Sequence, residues 1–172
     1  MTGSLPDVPQ HAFYDKLNRL LDESEFDTFV EALCEPFYAD DVGRPGIPPG
    51  RFFRMVFVGY FEGLDSQRGI AWRCGDSRSL RAFLFLEHDE ASPDHSSLSR
   101  IQSRLPIEVY EQVFRFVLTL ADEHKLAVLM ADYESNDKDG AFVGIGEFVN
   151  GRDFRANEMA APESFGRVFQ RV

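Results

Sequence analysis

Apolar residues recur at helical spacing near the N-terminus of the chain. A first amphipathic helix is predicted from residue 11 to residue 21, because its apolar side chains fall on one face: Phe13, Leu17, Leu20 and Leu21. A second helix is predicted from residue 25 to residue 37, with Asp27 as its expected N-cap and Pro36 as its stop signal. Both apolar faces are expected to bury against later helices.

A Pro- and Gly-rich break at residues 43–50 leads into a more apolar part of the chain. Residues 51–63 are apolar nearly all round, which predicts a central helix that neighbours cover on several sides and that ends at Gly63. Periodicity alone leaves a strand open as an alternative. Residues 66–86 predict two short helices, and an acidic loop follows them.

The next segment, residues 92–105, predicts a capped helix that starts at Ser92 and Pro93. Its apolar residues fall on one side: Leu98, Ile101 and Leu105. Its other side is small, polar and basic, so it is expected to face solvent.

The longest helix is expected to open at Pro106 and to run to about His124, with an apolar stripe along one side. After Lys125 a short apolar run suits a buried strand, and a Gly-rich, irregular stretch follows. The predicted fold is therefore mostly α: a multi-helix bundle with a helix-turn-helix-like element, followed by a short irregular or β-containing tail. We expect a helical domain at residues 11–125 and a divergent tail at 126–172.

Composition supports a folded core. The 172 residues include 17 Phe, and 44% of the residues are hydrophobic. The two cysteines lack metal-ligand spacing and are expected to be reduced, buried thiols. We see no signal peptide and no membrane-length apolar run, which makes the cytoplasm the expected location.

The distribution of charge changes the first impression of an acidic protein. A net charge of -11 argues against nucleic-acid binding, since Lys and Arg supply most non-specific affinity for phosphates. Residues 1–41 carry ten acidic and two basic side chains, whereas residues 42–86 carry seven Arg against three acids. Arginine suits bidentate contacts with phosphate and guanine, so any DNA contact is expected in the middle of the chain.

Between His11 and Lys125 the chain resembles the N-terminal domain of InsH-like transposases of bacterial insertion sequences. The matching motifs are FYDKLNRLLDE, FVEALCEPFY, the long stretch from GRPGIPPGRFF to SLRAFL, and SPDHSSLSRIQSRLP. The resemblance implies a helical domain that binds DNA at the terminal inverted repeats of the element. In that family an RNase H-like domain follows, with an Asp/Asp/Glu triad that holds divalent metal such as Mg²⁺ for strand transfer.

The match stops soon after Lys125, and we expect a truncation before the catalytic domain, with residues 126–172 as a remnant of its start. Asp132, which ends a strand-like run, is a weak candidate for the first catalytic acid. No second Asp and no Glu of the triad can be assigned after it. We therefore expect no catalysis by this chain alone and no bound cofactor.

The candidate DNA-binding residues lie on the predicted helix at 92–105 and among the arginines before it. The helix is read as a recognition helix, whose alternative is an ordinary capped surface helix. Its candidates are Ser96, Ser99, Arg100, Gln102, Ser103 and Arg104. The flanking candidates are Arg44, Arg51, Arg54, Arg68 and Arg73, and for these the alternative is pairing with the chain's own acids.

Several other readings stay open at this point. Trp72 is predicted to be a core residue, with base stacking as the alternative. His88 and His95 flank an acidic cluster, but a solvated loop explains the cluster and no metal site is predicted. The helices at 51–63 and 106–124 offer apolar faces for self-association or for binding full-length transposase as an inhibitor. A decayed gene product without a selected role is the third possibility.

Overall fold

The computed structural model describes residues 12–38 and 46–125. Within these ranges the chain forms seven α-helices and a 3₁₀ turn at Glu35–Phe37, and no strand. The helices are α1 Ala12–Glu23, α2 Phe26–Cys34, α3 Pro49–Phe61, α4 Gln67–Asp76, α5 Arg78–Phe83, α6 His95–Gln102 and α7 Ile107–Glu123. The mostly α prediction is confirmed for these residues, and the predicted tail at 126–172 lies outside them.

Helix α3 forms the centre of the fold. Every residue from Phe52 to Gly59 is buried, as expected for a helix that neighbours cover on several sides, and the strand alternative is excluded. α3 lies between α2 and α4 and contacts both. Gly63 follows its end with φ 64°, a left-handed conformation that glycine adopts without strain, and it ends the helix as predicted.

The core is rich in aromatic side chains from four helices. The Phe57 ring of α3 meets the rings of Phe26 on α2 and Phe114 on α7, at centroid distances of 5.7 and 5.4 Å. Phe13 of α1 contacts Phe61 of α3 edge to face at 5.0 Å. Aromatic pairs of this kind stabilise a core beyond the effect of the area they bury.

The cysteines and the last helix agree with the sequence analysis. Cys34 and Cys74 are free, fully buried thiols, and burial raises the pKa of Cys74 to about 12. Helix α7 is the longest helix that the structure describes, and its stripe at Val109, Val113 and Val117 is buried.

Two predicted helix starts were wrong. Asp27 does not cap α2: Glu25 precedes the helix at φ 53°, and the Asp27 carboxylate pairs instead with Arg54. The Ser92 and Pro93 signal does not start α6 either. Asp94 caps it, because its carboxylate accepts the Ser97 backbone N–H at 2.8 Å, a bond that Ser92 lies too early in the chain to make.

Candidate nucleic-acid interface

Helix α6 presents the polar face that its spacing predicts. Leu98 and Ile101 are buried, as is Leu105 just beyond the helix. The candidates on the other side are exposed: Ser96, Ser99, Arg100, Ser103 and Arg104. Three of them are serines, which are short and leave room for a backbone or a base edge to approach closely.

The serine hydroxyls bond within their own helix. Ser99 donates to the His95 carbonyl at 2.9 Å, and Ser103 donates to the Arg100 carbonyl at the same distance. Ser96 donates to the Asp94 carboxylate at 2.5 Å. Each hydroxyl oxygen retains lone pairs that can accept a hydrogen bond from a base amino group or a water.

Helices α4 and α6 lie side by side and run antiparallel. Gln67, at the start of α4, donates to the side chain of Gln102 at the end of α6, so Gln102 is tied into the helix pair and is only half-exposed. At the other end, a Cβ placed on Gly75 would lie 3.4 Å from the Ser92 Cβ. The small residue there allows α4 to approach the segment that leads into α6.

The outward side of α4 carries Arg68 and Trp72. Ile70 and Cys74 bury the opposite side, and Trp72 lies two positions from each, which is half a turn away on a helix. Trp72 is 68% exposed, so the prediction of a core residue was wrong. We name the outward side of this helix pair the α4/α6 face: Arg68, Trp72, Ser96, Ser99, Arg100, Ser103 and Arg104.

Charge is unevenly distributed along the α4/α6 face. The end with Arg68 and Arg104 is basic, and these residues, like Arg100, form no ion pair with any residue in the two described ranges. The other end holds Asp76 and Asp94. Hydrogen bonds from the Ser96 hydroxyl and the Ser97 backbone lower the pKa of Asp94 to about 2, so that this end is negatively charged at neutral pH.

Two of the candidate arginines pair with acids of the fold. Arg54 is 1% exposed and holds Asp27 through two bonds of 2.6 and 2.9 Å, with a further bond to Asn18. Arg73 pairs at 2.6 Å with Glu62, which is itself 7% exposed and also accepts from Tyr14. Neither guanidinium is free for a phosphate, so we remove both from the candidate set.

Arg51 is also committed to the fold. It is half-buried, pairs with Glu90 at 2.5 Å, and donates to the carbonyls of Leu84 and Phe85. Arg81 binds the same loop through the carbonyls of Glu87 and Glu90. These two arginines therefore fix the path of residues 84–94, the connection that places α6 beside α4.

That connection is longer than the three- or four-residue turn of a helix-turn-helix motif. α5 follows α4 after Ser77 alone, and α6 pairs with α4 rather than following α5 through a tight turn. α6 also borders a groove of about 950 Å³ at the edge of the α4/α6 face. Arg100 and Arg104 line this groove together with Tyr38, Ile47 and Glu90.

The remaining candidates do not form a metal site within the described residues. There, no group of three His, Cys, Asp or Glu side chains is close enough to hold a metal ion, and His88 and His95 are exposed. Arg44 and Asp132 lie outside the described ranges. In those ranges no helix combines the length and the apolar character needed to cross a bilayer.

Comparison with known families places these observations in context. The family model described as "Transposase domain (DUF772)" matches residues 5–104, which is more than half of the chain. The chain belongs to this transposase domain family. Its matched segment includes helices α1 to α6 and therefore the whole α4/α6 face. No curated protein and no solved structure gives a significant match.

The family assignment supports a transposase-related role and makes DNA the expected partner. Besides the arginines that pair with acids of the fold, Trp72 departs from the sequence prediction. Its spacing of two positions from Ile70 and Cys74 indicates the exposed side of α4. The core prediction rested instead on the large, apolar side chain, a residue type that is usually well buried.

Proposed function

We propose that residues 11–125 form the DNA-binding domain of an insertion-sequence transposase of the InsH-like class. In this proposal the α4/α6 face contacts the terminal inverted repeats of the element. The family assignment supports a role in transposition, a process that acts on DNA. No metal-dependent step is assigned to this domain.

The observation that carries the proposal is the pair of exposed guanidiniums at Arg100 and Arg104. Neither forms an ion pair with a described residue, and both lie beside short serines at the edge of a groove. Arg51, Arg54 and Arg73 neutralise acids of the fold, whereas no described acid neutralises these two. Phosphate contacts by such side chains position a protein on a duplex, and nearby base contacts add specificity.

The charge of Asp94 defines how DNA would lie on this surface. A helix N-terminus commonly attracts phosphate, but the ionised Asp94 already occupies the free amides of α6 and would repel a second anion. Phosphates are therefore expected at the basic end near Arg68 and Arg104. Base edges would then lie along Ser99 and Ser103.

A binding assay with single variants tests the proposal. Arg100→Ala and Arg104→Ala should each weaken binding to a labelled inverted-repeat duplex, and each should lower the slope of log affinity against log salt by about 1. Arg115→Ala is the matched control, because Arg115 is exposed on α7, which packs on α1 and α2. Circular dichroism melts confirm that all three variants are folded.

Two outcomes would contradict the proposal. If both interface variants bind as tightly as the parent, with an unchanged salt slope, the α4/α6 face is not the contact surface. If the parent binds a scrambled duplex as tightly as the inverted repeat, recognition of element ends is wrong even where DNA binding is retained.

The alternative role, association with full-length transposase, depends on the apolar faces of the helices at 51–63 and 106–124. Residues Phe52–Gly59 of α3 and the Val109, Val113 and Val117 stripe of α7 are buried in the protein's own core. Neither face is available to a partner without unfolding.

A further inference from the structure

Trp72 is the sole tryptophan of the chain and the most exposed large apolar side chain among the described residues. Its exposure of 68% exceeds that of Phe85 at 55% and Ile107 at 46%. Burial among the described residues therefore does not explain a tryptophan at this position.

The surroundings of Trp72 leave its ring accessible. On a helix surface, its neighbours three and four positions away are Arg68, Gly69, Gly75 and Asp76. The two glycines have no side chains that could cover the indole faces. The two charged residues keep water and ions near it.

These neighbours decide which partner suits the ring. A protein partner or a second copy of the chain would be expected to bury a continuous apolar patch around an aromatic anchor. The four α4 residues three and four positions from Trp72 include no large apolar side chain, so α4 itself offers no continuous apolar patch around the ring. A flat, exposed ring one helical turn from the Arg68 guanidinium, which forms no ion pair with a described residue, suits a nucleobase attached to a phosphate.

We infer that Trp72 stacks on an unpaired nucleobase while Arg68 contacts the adjoining phosphate. This inference rests on the proposed DNA-binding function and adds a substrate class to it: DNA with at least one base exposed outside the duplex stack. Bases inside a continuous duplex have both faces covered by their neighbours and present only their edges in the grooves. The broad face of an indole therefore needs a base at a strand end or in a single strand.

The single tryptophan makes a direct test possible. Titration of the parent protein with a short oligothymidylate should quench the tryptophan fluorescence. This emission comes from Trp72 alone, because the chain has one tryptophan. An oligomer of the same length and charge that consists of abasic deoxyribose phosphates is the control. It retains the phosphate contacts but offers no base, so it should bind more weakly and leave the emission nearly unchanged.

Variants separate stacking from charge. Trp72→Ala should weaken binding of labelled oligothymidylate roughly 5- to 150-fold, the range expected for loss of one stacked base. It should leave binding of the abasic oligomer unchanged. Trp72→Phe should restore part of the lost affinity, and Ile107→Ala, which removes an exposed apolar side chain from α7, should have no effect.

The results distinguish this inference from the proposed function. If the parent binds both oligomers equally and Trp72→Ala changes neither, base stacking is wrong while DNA binding stands. If the parent binds no oligomer and no duplex, the proposed function itself is wrong. If Trp72→Ala alters only the molar mass in light scattering, the ring belongs to a protein interface and the inference is overturned.

Discussion

At the scale of single residues, the arginines show why composition alone does not locate a binding surface. Arg54, Arg73 and Arg100 carry the same charge, and the sequence made all three candidates for DNA contact. The first is enclosed with Asp27, the second neutralises the buried Glu62, and only the third projects freely. Leaving the buried Arg54 guanidinium or the buried Glu62 carboxylate without its partner would be costly, so the fold fixes these two arginines as structural residues.

Asp94 offers a prediction at the same scale. Asp94→Asn keeps a side-chain oxygen that can cap α6, since Asn and Asp are comparable N-caps, but it removes the negative charge. We expect tighter DNA binding at low salt with an unchanged melting temperature near neutral pH. Asp94→Ala, which loses the cap as well, should lower the melting temperature. Weaker DNA binding by Asp94→Asn would show that the carboxylate itself contacts the ligand.

The pKa of Asp94 gives the direction of a pH effect on stability. Its folded pKa is lowered to about 2 from an ordinary value of 3.8, because the ionised form accepts hydrogen bonds from Ser96 and Ser97. The stabilisation is therefore complete above the ordinary value and is lost as the pH falls through 2. The difference in melting temperature between the parent and Asp94→Asn should change in that window. A constant difference would contradict this account of the cap.

At the scale of helices, the close approach of α3 and α4 depends on Gly59. A Cβ at this position would lie 2.5 Å from the Ile70 Cδ1, so the two helices could not keep their distance without repacking. Glycine inside a helix lowers its stability by about 1 kcal/mol relative to alanine. Its presence here therefore indicates that the packing requires a residue without a side chain. The position of α4, and with it Arg68 and Trp72, follows from this contact.

A double-mutant cycle tests the Gly59 contact. Gly59→Ala should destabilise the protein by about 1–3 kcal/mol through overpacking, despite its better helix propensity. Ile70→Val removes the methyl group that would be overlapped, so in the Gly59→Ala background it should cost less than it does alone or even restore stability. Denaturant unfolding measures all four proteins. Simple additivity of the two changes would show that the helices are not in contact at this point.

At the scale of the whole molecule, charge separation reconciles an acidic protein with a DNA-binding proposal. Exposed acids concentrate on α1 and α2, for example Asp22, Glu23 and Glu31, and α3 lies between α2 and α4. At physiological salt, charges more than about 8 Å apart are largely screened from each other. The α4/α6 face can therefore remain locally basic although the chain carries a net charge of -11.

This arrangement predicts a weak, salt-sensitive effect of the distant acids. The combined change Asp22→Asn, Glu23→Gln and Glu31→Gln should raise DNA affinity slightly at low salt, mainly through faster association, because long-range repulsion is reduced. The gain should disappear at physiological salt. Stopped-flow association over a salt series measures it, and a gain that persists at high salt would place these acids in the interface.

The sequence by itself determined the helices, the central position of α3 and the polar, exposed side of α6. The amphipathic helices and the exposed side of α6 follow from a periodicity of 3.6 residues along one continuous segment, and the central position of α3 follows from its apolar residues on nearly all sides. No knowledge of distant residues is needed for either. The same helical periodicity predicts that Trp72 is exposed, because it lies two positions from the buried Ile70 and Cys74.

Only the tertiary structure decided which arginines remain available and where α6 is placed. Arg54 is enclosed because Asp27, from another helix, reaches it, and α6 is placed beside α4 because Arg51 and Arg81 hold the loop before it. These pairings join residues far apart in the chain, and the free energy of an ion pair depends on the distance and burial that the packed helices impose. Local sequence patterns give neither the distance between two such charges nor their burial.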